Sequence, residues 1–193
     1  MASLLTSVDK CANTASVYGA FLKHIKNSAS RTFEFELLPI IDSNKKNIVY
    51  NQDANVLINN IEGDILYLDP PYNARQYCTN YHVLETIAKY DNPILKGKTG
   101  LREYGFQKSK YCSKRTVINE FQQLIKDAKF RYIFLSYNNE GLMSLSQIKE
   151  IMQQYGKYEL FATNYKRFKA DKETSRNYKS NKTTEYLHCL IKK

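Results

Sequence analysis

The chain has 193 residues, 42% of them hydrophobic and 25% charged, with a formal net charge of +10 at neutral pH. That is long enough for one domain, 1–193, with a real core, and the balance is that of a globular protein rather than a disordered or fibrous one. No apolar run approaches the roughly 20 residues of a membrane span, the N-terminus lacks a secretory pattern, and the four cysteines form no C-x-x-C pair, which argues against a disulfide framework or a metal site and for a reducing cytoplasm.

In chain order, Val8, Ala12, Ala15, Phe21, Leu22 and Ile25 recur at helical spacing and predict a helix over 8–26. Residues 33–38 alternate as a half-buried strand does, with Pro39 as its limit, and Ile48-Val49-Tyr50 reads as a short strand. Asp53 stands just before Ala54-Asn55-Val56-Leu57, in the place of a helix N-cap. Ile65, Leu66 and Leu68 predict a buried strand that must stop at Asp69-Pro70-Pro71-Tyr72, because neither proline can donate to a sheet ladder. A helix at 81–90, with His82 as a starting residue, leads into 91–114, a loop long enough to suggest function and expected to order on binding. A helix at 115–128, a buried strand at Tyr132–Leu135, a helix at 144–155 and a hairpin of strands near 157–164 and 184–191 complete the chain.

The positive charge is concentrated. Residues 96–115 carry seven Lys/Arg against one acid, and residues 166–182 carry seven against two. Either segment alone is what a solvated loop carries; two of them, interleaved with Tyr104, Phe106, Tyr111, Phe168 and Tyr178, suit a phosphate backbone and unpaired bases.

The proline corner suits one chemistry in particular. The 6-amino group of adenine is a poor nucleophile, since its lone pair is conjugated into the ring, and it needs fixed acceptors for its hydrogens as it takes a methyl group. Asp69 offers a carboxylate oxygen and Pro70 a carbonyl on a stiff backbone. Such acceptors stabilise developing positive charge, and Tyr72 offers a face on which an extruded base can stack.

Asp69-Pro70-Pro71-Tyr72, with Asn73-Ala74-Arg75-Gln76-Tyr77 and Asn80-Tyr81-His82 after it, resembles the DNA adenine methylase family. Ala12–Tyr18, Asn51-Gln52-Asp53-Ala54, Ser136-Tyr137-Asn138-Asn139-Glu140-Gly141 and Glu185-Tyr186-Leu187 extend the resemblance, which covers the later portion of such enzymes. It implies an α/β fold: a partial Rossmann-like S-adenosylmethionine methyltransferase sheet ending in an antiparallel hairpin. It also implies a catalytic corner at Asp69, Pro70, Pro71 and Tyr72. The cofactor S-adenosyl-L-methionine would be held by Asp53, the backbone of Ala54 and Asp69. Double-stranded DNA would be contacted by Asn73, Arg75, Gln76 and Tyr77, by Lys108, Lys110, Lys114 and Arg115, and by Lys166, Arg167, Lys169 and Arg176, in a restriction–modification setting.

The family's glycine-rich cofactor turn is missing: the seven glycines form no G-x-G, and only 15 residues separate Asp53 from Asp69, too few for an inserted target-recognition subdomain. The chain is therefore expected to have little activity alone, as a truncated frame or as half of a split enzyme completed by a second chain bearing that turn. RNA amino-methylation and a DNA-binding remnant without catalysis are the alternatives.

Overall fold

The computed structural model describes residues 1–166 and 182–193. Arg167, Lys169, Arg176, Phe168 and Tyr178 lie outside the described residues, and Lys166 is described in its backbone alone. The described residues divide into two compact units, Met1–Ile48 with Gln76–Lys108, and Val49–Arg75 with Ser109–Lys193.

In the first unit, helix α1 runs over Ala2–Cys11, and the helix expected over 8–26 is not formed. The apolar spacing was present, but Asn13, Thr14, Ser16 and Gly19 break it. Ser16 takes a φ of 67°, and Asn13 Oδ1 accepts from the Lys26 N–H at 3.0 Å, so polar side chains take over backbone pairing. The strand expected over 33–38 is extended but unpaired. Its alternate N–H groups, at Glu36 and Leu38, donate to the hydroxyls of Ser7 and Ser3, each at 3.1 Å and one turn apart on α1; Lys10 and Glu36 add an ion pair. Residues 48–50 likewise form no strand and pair with none among the described residues.

The helix expected over 81–90 is α4 (His82–Lys89), and a short helix not expected from the sequence, α3 (Tyr77–Asn80), precedes it; α2 (Ala54–Leu57) belongs to the second unit. His82 opens α4, fully buried between the carbonyls of Thr79 at 2.9 Å and Thr99 at 2.7 Å. The stretch after α4 carries its own structure and is not an unformed loop. Lys96 and Leu101 exchange backbone hydrogen bonds at 2.8 Å, and the buried Arg102 guanidinium grips both oxygens of Asp91. The pair holds the Asp91 carboxyl below its usual range, chiefly through that hydrogen bonding.

The second unit is a four-stranded mixed sheet with helices on one face. Strands β1 (Glu62–Leu68), β2 (Lys129–Asn138), β3 (Gly156–Lys166) and β4 (Lys182–Lys192) lie in the order β1-β2-β4-β3. The β1–β2 pair is parallel; β2–β4 and the β3–β4 hairpin are antiparallel. Helix α2 (Ala54–Leu57) precedes β1, α5 (Val117–Asp127) precedes β2, and α6 (Leu145–Gln153) follows it behind a capping box of Ser144 and Gln147. Apolar residues at helical spacing on α5 (Val117, Phe121, Leu124, Ile125) and α6 (Ile148, Ile151, Met152) pack on Ile133 and Leu135 of β2 and Leu190 of β4. Each such side chain contributes about 1.5–3 kcal/mol by leaving water.

Two glycines make close approaches that no other residue permits. A Cβ at Gly156 would lie 2.0 Å from the Ile191 carbonyl oxygen, and one at Gly141 would lie 2.1 Å from the Tyr137 ring. Tyr137 is buried and its hydroxyl accepts the Met143 N–H at 3.3 Å. Gly141→Ala is therefore expected to destabilise the chain by about 1–3 kcal/mol through overpacking, read as a lowered urea midpoint at unchanged slope.

One sequence expectation is corrected in β1. Leu66 and Leu68 face the core, but Ile65 is 63% and Tyr67 62% exposed. β1 is an edge strand, and the helices of this unit lie on its other face.

Candidate active site

The Asp-Pro-Pro-Tyr corner falls at the carboxyl end of β1, where ligands bind in open α/β sheets. Asp69 is exposed, Pro70 and Pro71 half-buried, and Tyr72 41% exposed. Three bonds hold the segment after it. The Tyr72 carbonyl accepts the Leu142 N–H at 2.9 Å, Asn73 Oδ1 accepts the Arg75 N–H at 2.9 Å, and the Cys112 thiol donates to the Arg75 carbonyl at 3.3 Å. The first ties the corner to the turn that ends β2.

That turn is the Ser136–Gly141 motif. Asn138 Oδ1 accepts the Glu140 N–H at 3.1 Å, an Asx turn. Asn139 both donates its N–H to the Thr184 carbonyl and accepts the Thr184 N–H on Oδ1, each at 3.1 Å. The carboxyl ends of β1 and β2 and the beginning of β4 thus meet, and they bring in a residue that the motif reading left without a role. Glu185, opposite Asn138 in the β2–β4 register, is half-buried. Its carboxyl is raised by burial and by the charges of Asp69 and Glu140, against a hydrogen bond from Asn138.

A raised carboxyl binds its proton more tightly in the native state, so wild-type stability falls as pH rises from the ordinary Glu range through the raised value. Glu185→Gln removes that decline. The variant should melt higher than wild type at neutral pH and converge with it in acid, seen in thermal midpoints across the pH range; a parallel shift at every pH would refute the electrostatic account.

Asp53 sits in a separate cluster. It caps α2, its Oδ1 accepting the N–H groups of Asn55 at 2.9 Å and Val56 at 3.2 Å, as the cap reading expects. Asn55 accepts the Tyr111 hydroxyl at 2.9 Å and donates to the Glu120 carbonyl at 2.8 Å. The described hydrogen bonds and ion pairs join Asp53 to its own helix, not to Asp69. Tyr111 is held here and half-buried, not free to stack on a base; burial raises its phenol above the ordinary range.

The residues expected at DNA divide between the units. Asn73, Arg75, Lys110, Lys114 and Arg115 belong to the second, and Gln76, Tyr77 and Lys108 to the first. Tyr77 packs on Tyr81 with ring centroids 5.7 Å apart, and Lys108 lies over the Tyr104 ring at 5.5 Å. Lys110 is paired with Glu120 at 3.0 Å, while Lys114 and Arg115 are exposed. Because Arg102 is buried on Asp91, the first basic segment presents less charge than its composition implies.

Residues 1–153 match the model of the D12 class N6 adenine-specific DNA methyltransferase family. The chain belongs to that family. It is 59% identical over 192 residues to the type II methyltransferase M.NlaIII of Neisseria lactamica, covering 100% of this chain and 57% of that protein. It is 44% identical over 173 residues to M.FokI of Planomicrobium okeanokoites, covering 88% of this chain and 27% of the relative. Against M.CviAII of Paramecium bursaria Chlorella virus 1 it is 42% identical over 170 residues, covering 88% and 51%. The chain thus spans about half, or less, of the length of these relatives. No solved structure matches it.

Proposed function

We propose that this chain is the later, catalytic portion of a site-specific adenine methyltransferase acting on double-stranded DNA within restriction–modification, using S-adenosylmethionine. The observation that carries the reading is the Asp69–Tyr72 corner at the carboxyl end of β1, tied to the end of β2 through Tyr72 and Leu142. The mixed sheet with its closing hairpin is compatible with a partial Rossmann-like methyltransferase sheet running over 1–193.

In this reading Asp69 and the Pro70 carbonyl accept the hydrogens of the adenine amino group, drawing its lone pair out of the ring. Tyr72, exposed beside them, stacks on the extruded base. Attack on the methyl makes the nitrogen acidic, so a strong base is not required. Asn73, Arg75, Gln76 and Tyr77 contact DNA near that base, and the exposed cations approach phosphates.

The bound cofactor supplies a methyl group on a sulfonium, activated for displacement. Its adenine end fits this chain: the Asp53 carboxylate is fixed by capping through Oδ1, which leaves Oδ2 outside the cap to accept from a ring amine, with the Ala54 N–H beside it. Its methionine end has no glycine cradle in these 193 residues, so that end is assigned to a portion outside them, on this or another polypeptide, and low activity is expected of these residues alone.

The test is methyl transfer from labelled S-adenosylmethionine to duplex DNA and, in parallel, to structured RNA, with and without the remaining portion of M.NlaIII supplied. Appearance of N6-methyladenine in DNA supports the reading; label in RNA alone, or in neither, overturns it. In DNA binding, Lys114→Ala and Arg115→Ala should each reduce the slope of log affinity against log salt by about 0.9. Arg102→Ala, at a guanidinium already committed to Asp91, should leave that slope unchanged.

A further inference from the structure

Glu185 carries a burden that the fold does not need. Leu66 and Leu68 of β1 face the core, so alternation turns Asp69 toward the opposite face of the sheet. On β2, Ile133, Leu135 and Tyr137 take the core side, which puts Asn138 on that same opposite face. Glu185 pairs with Asn138 across the antiparallel register and shares its side. Asp69, Asn138 and Glu185 thus stand on one face, at the end of the sheet where β1 and β2 finish and β4 begins. The glutamate is held there. Asn138, itself 6% exposed, accepts the Glu140 N–H on Oδ1 and hydrogen-bonds the Glu185 carboxylate through its side chain. Thr184, one residue before, is clamped to Asn139 by two bonds of 3.1 Å.

The charges that reach Glu185 are those of Asp69 and Glu140, both negative, and its neighbour on β3 is the uncharged Thr163. Among the described residues no ion pair joins Glu185 or Asp69 to a cation. A half-buried acid held beside like charges lowers stability, and departures of this kind gather where a site needs them. The same charges repel phosphate, so they do not serve DNA affinity. We propose that Glu185 is a positioning residue for methyl transfer: held by Asn138 on the face of the sheet that bears Asp69, it adds a second fixed negative charge beside the acceptors of the adenine amino group. This rests on the methylation reading above and extends it to a residue that does not touch the base. As the amino nitrogen takes the methyl group, its bond to carbon forms while the sulfur–carbon bond breaks, and the positive charge moves from sulfur to nitrogen. One N–H proton then leaves for the Asp69 carboxylate, and from that exposed side chain for water. Carboxylates already fixed near the nitrogen stabilise the arriving charge without reorganisation.

The experiment measures single-turnover incorporation of labelled methyl into duplex DNA by the 193-residue chain, with the remaining portion of M.NlaIII supplied, alongside thermal midpoints. Glu185→Gln keeps the shape and an acceptor for Asn138 while removing the charge. Its maximal rate should fall about tenfold, less than for a group that touches the base. Half-saturation by DNA should stay unchanged or drop, and the midpoint at neutral pH should rise. Loss of rate with gain of stability is a pairing that a purely structural role does not produce. Glu185→Asp retains the charge and should keep a larger share of the rate than Glu185→Gln. Glu62→Gln, exposed at the other end of β1, removes the same charge and should leave the rate as it is. A fully active Glu185→Gln, a rate loss that comes with a lowered midpoint, an equal loss in Glu62→Gln, or Glu185→Asp no better than Glu185→Gln would each overturn the role. The two readings are told apart by the wild type. If it methylates DNA and Glu185→Gln does so equally, the role of Glu185 falls and methylation stands; if wild type leaves DNA unmethylated, the methylation reading falls and takes this role with it.

Discussion

Asp69→Ala should lower methyl transfer by about a hundredfold to a thousandfold, the range for loss of one preorganised polar group aimed at transition-state charge. Asp69 lies just beyond the last residue of β1 and is exposed, so the substitution leaves no cavity and the fold should be unchanged. DNA affinity should hold or rise slightly, since a carboxylate that repels phosphates is gone. Asp69→Asn separates acceptor from charge: it keeps a carbonyl oxygen in place and should retain more activity than alanine. Single-turnover incorporation of labelled methyl into duplex DNA by the completed enzyme reads both variants. Full activity in Asp69→Ala would move catalysis away from this corner.

The second large effect is an acid-side loss of stability centred on His188. The ring lies on β4 among Leu135 and Leu160, its register neighbours, and is fully buried. Nδ1 meets the Tyr158 hydroxyl at 2.8 Å, while Nε2 is buried without a partner among the described residues. Protonation would leave a charged N–H with no acceptor, and burial accordingly pushes the imidazole down to about 4. The unfolded chain takes up this proton near pH 6.5 and the folded chain near 4, so between those values the unfolded state binds more protons and stability falls as pH falls. The loss amounts to about 2 kcal/mol by pH 5 and on the order of 3 kcal/mol below pH 4. His188→Leu gives up the Tyr158 hydrogen bond, roughly 1 kcal/mol, but should remove this part of the slope. Subtracting urea-derived stabilities of the variant from wild type between pH 4.5 and 7.5 isolates the contribution; an identical slope in both would assign the acid sensitivity elsewhere.

Much of the second unit was legible because its signals are local. Helical spacing in Val117–Ile125 and Ile148–Met152 marks two helices, and the prolines after Asp69 end β1 where expected. What was not legible depends on partners. Phe33–Leu38 has a strand's alternation and an extended backbone, but among the described residues no strand lies alongside, and two serine hydroxyls of α1 take the N–H groups of Glu36 and Leu38 instead. Ile65 reads as core and is exposed, because a strand's burial depends on its neighbours. Glu185 acquires its surroundings only through pairing with Asn138, 47 positions earlier by number, which no local pattern reveals. Arg102 counted as surface charge in the composition, and only its grip on Asp91 removes it from that tally.

The strand order has a consequence for biosynthesis. β4 is made after β1, β2 and β3, yet it lies between β2 and β3. Among the described strands β3 pairs only with β4, so a nascent chain must make residues 182–192 before β3 can join the rest of the sheet. A stop codon just before Lys182 should therefore be as damaging as one far upstream, since it removes an interior strand rather than a frayed tail.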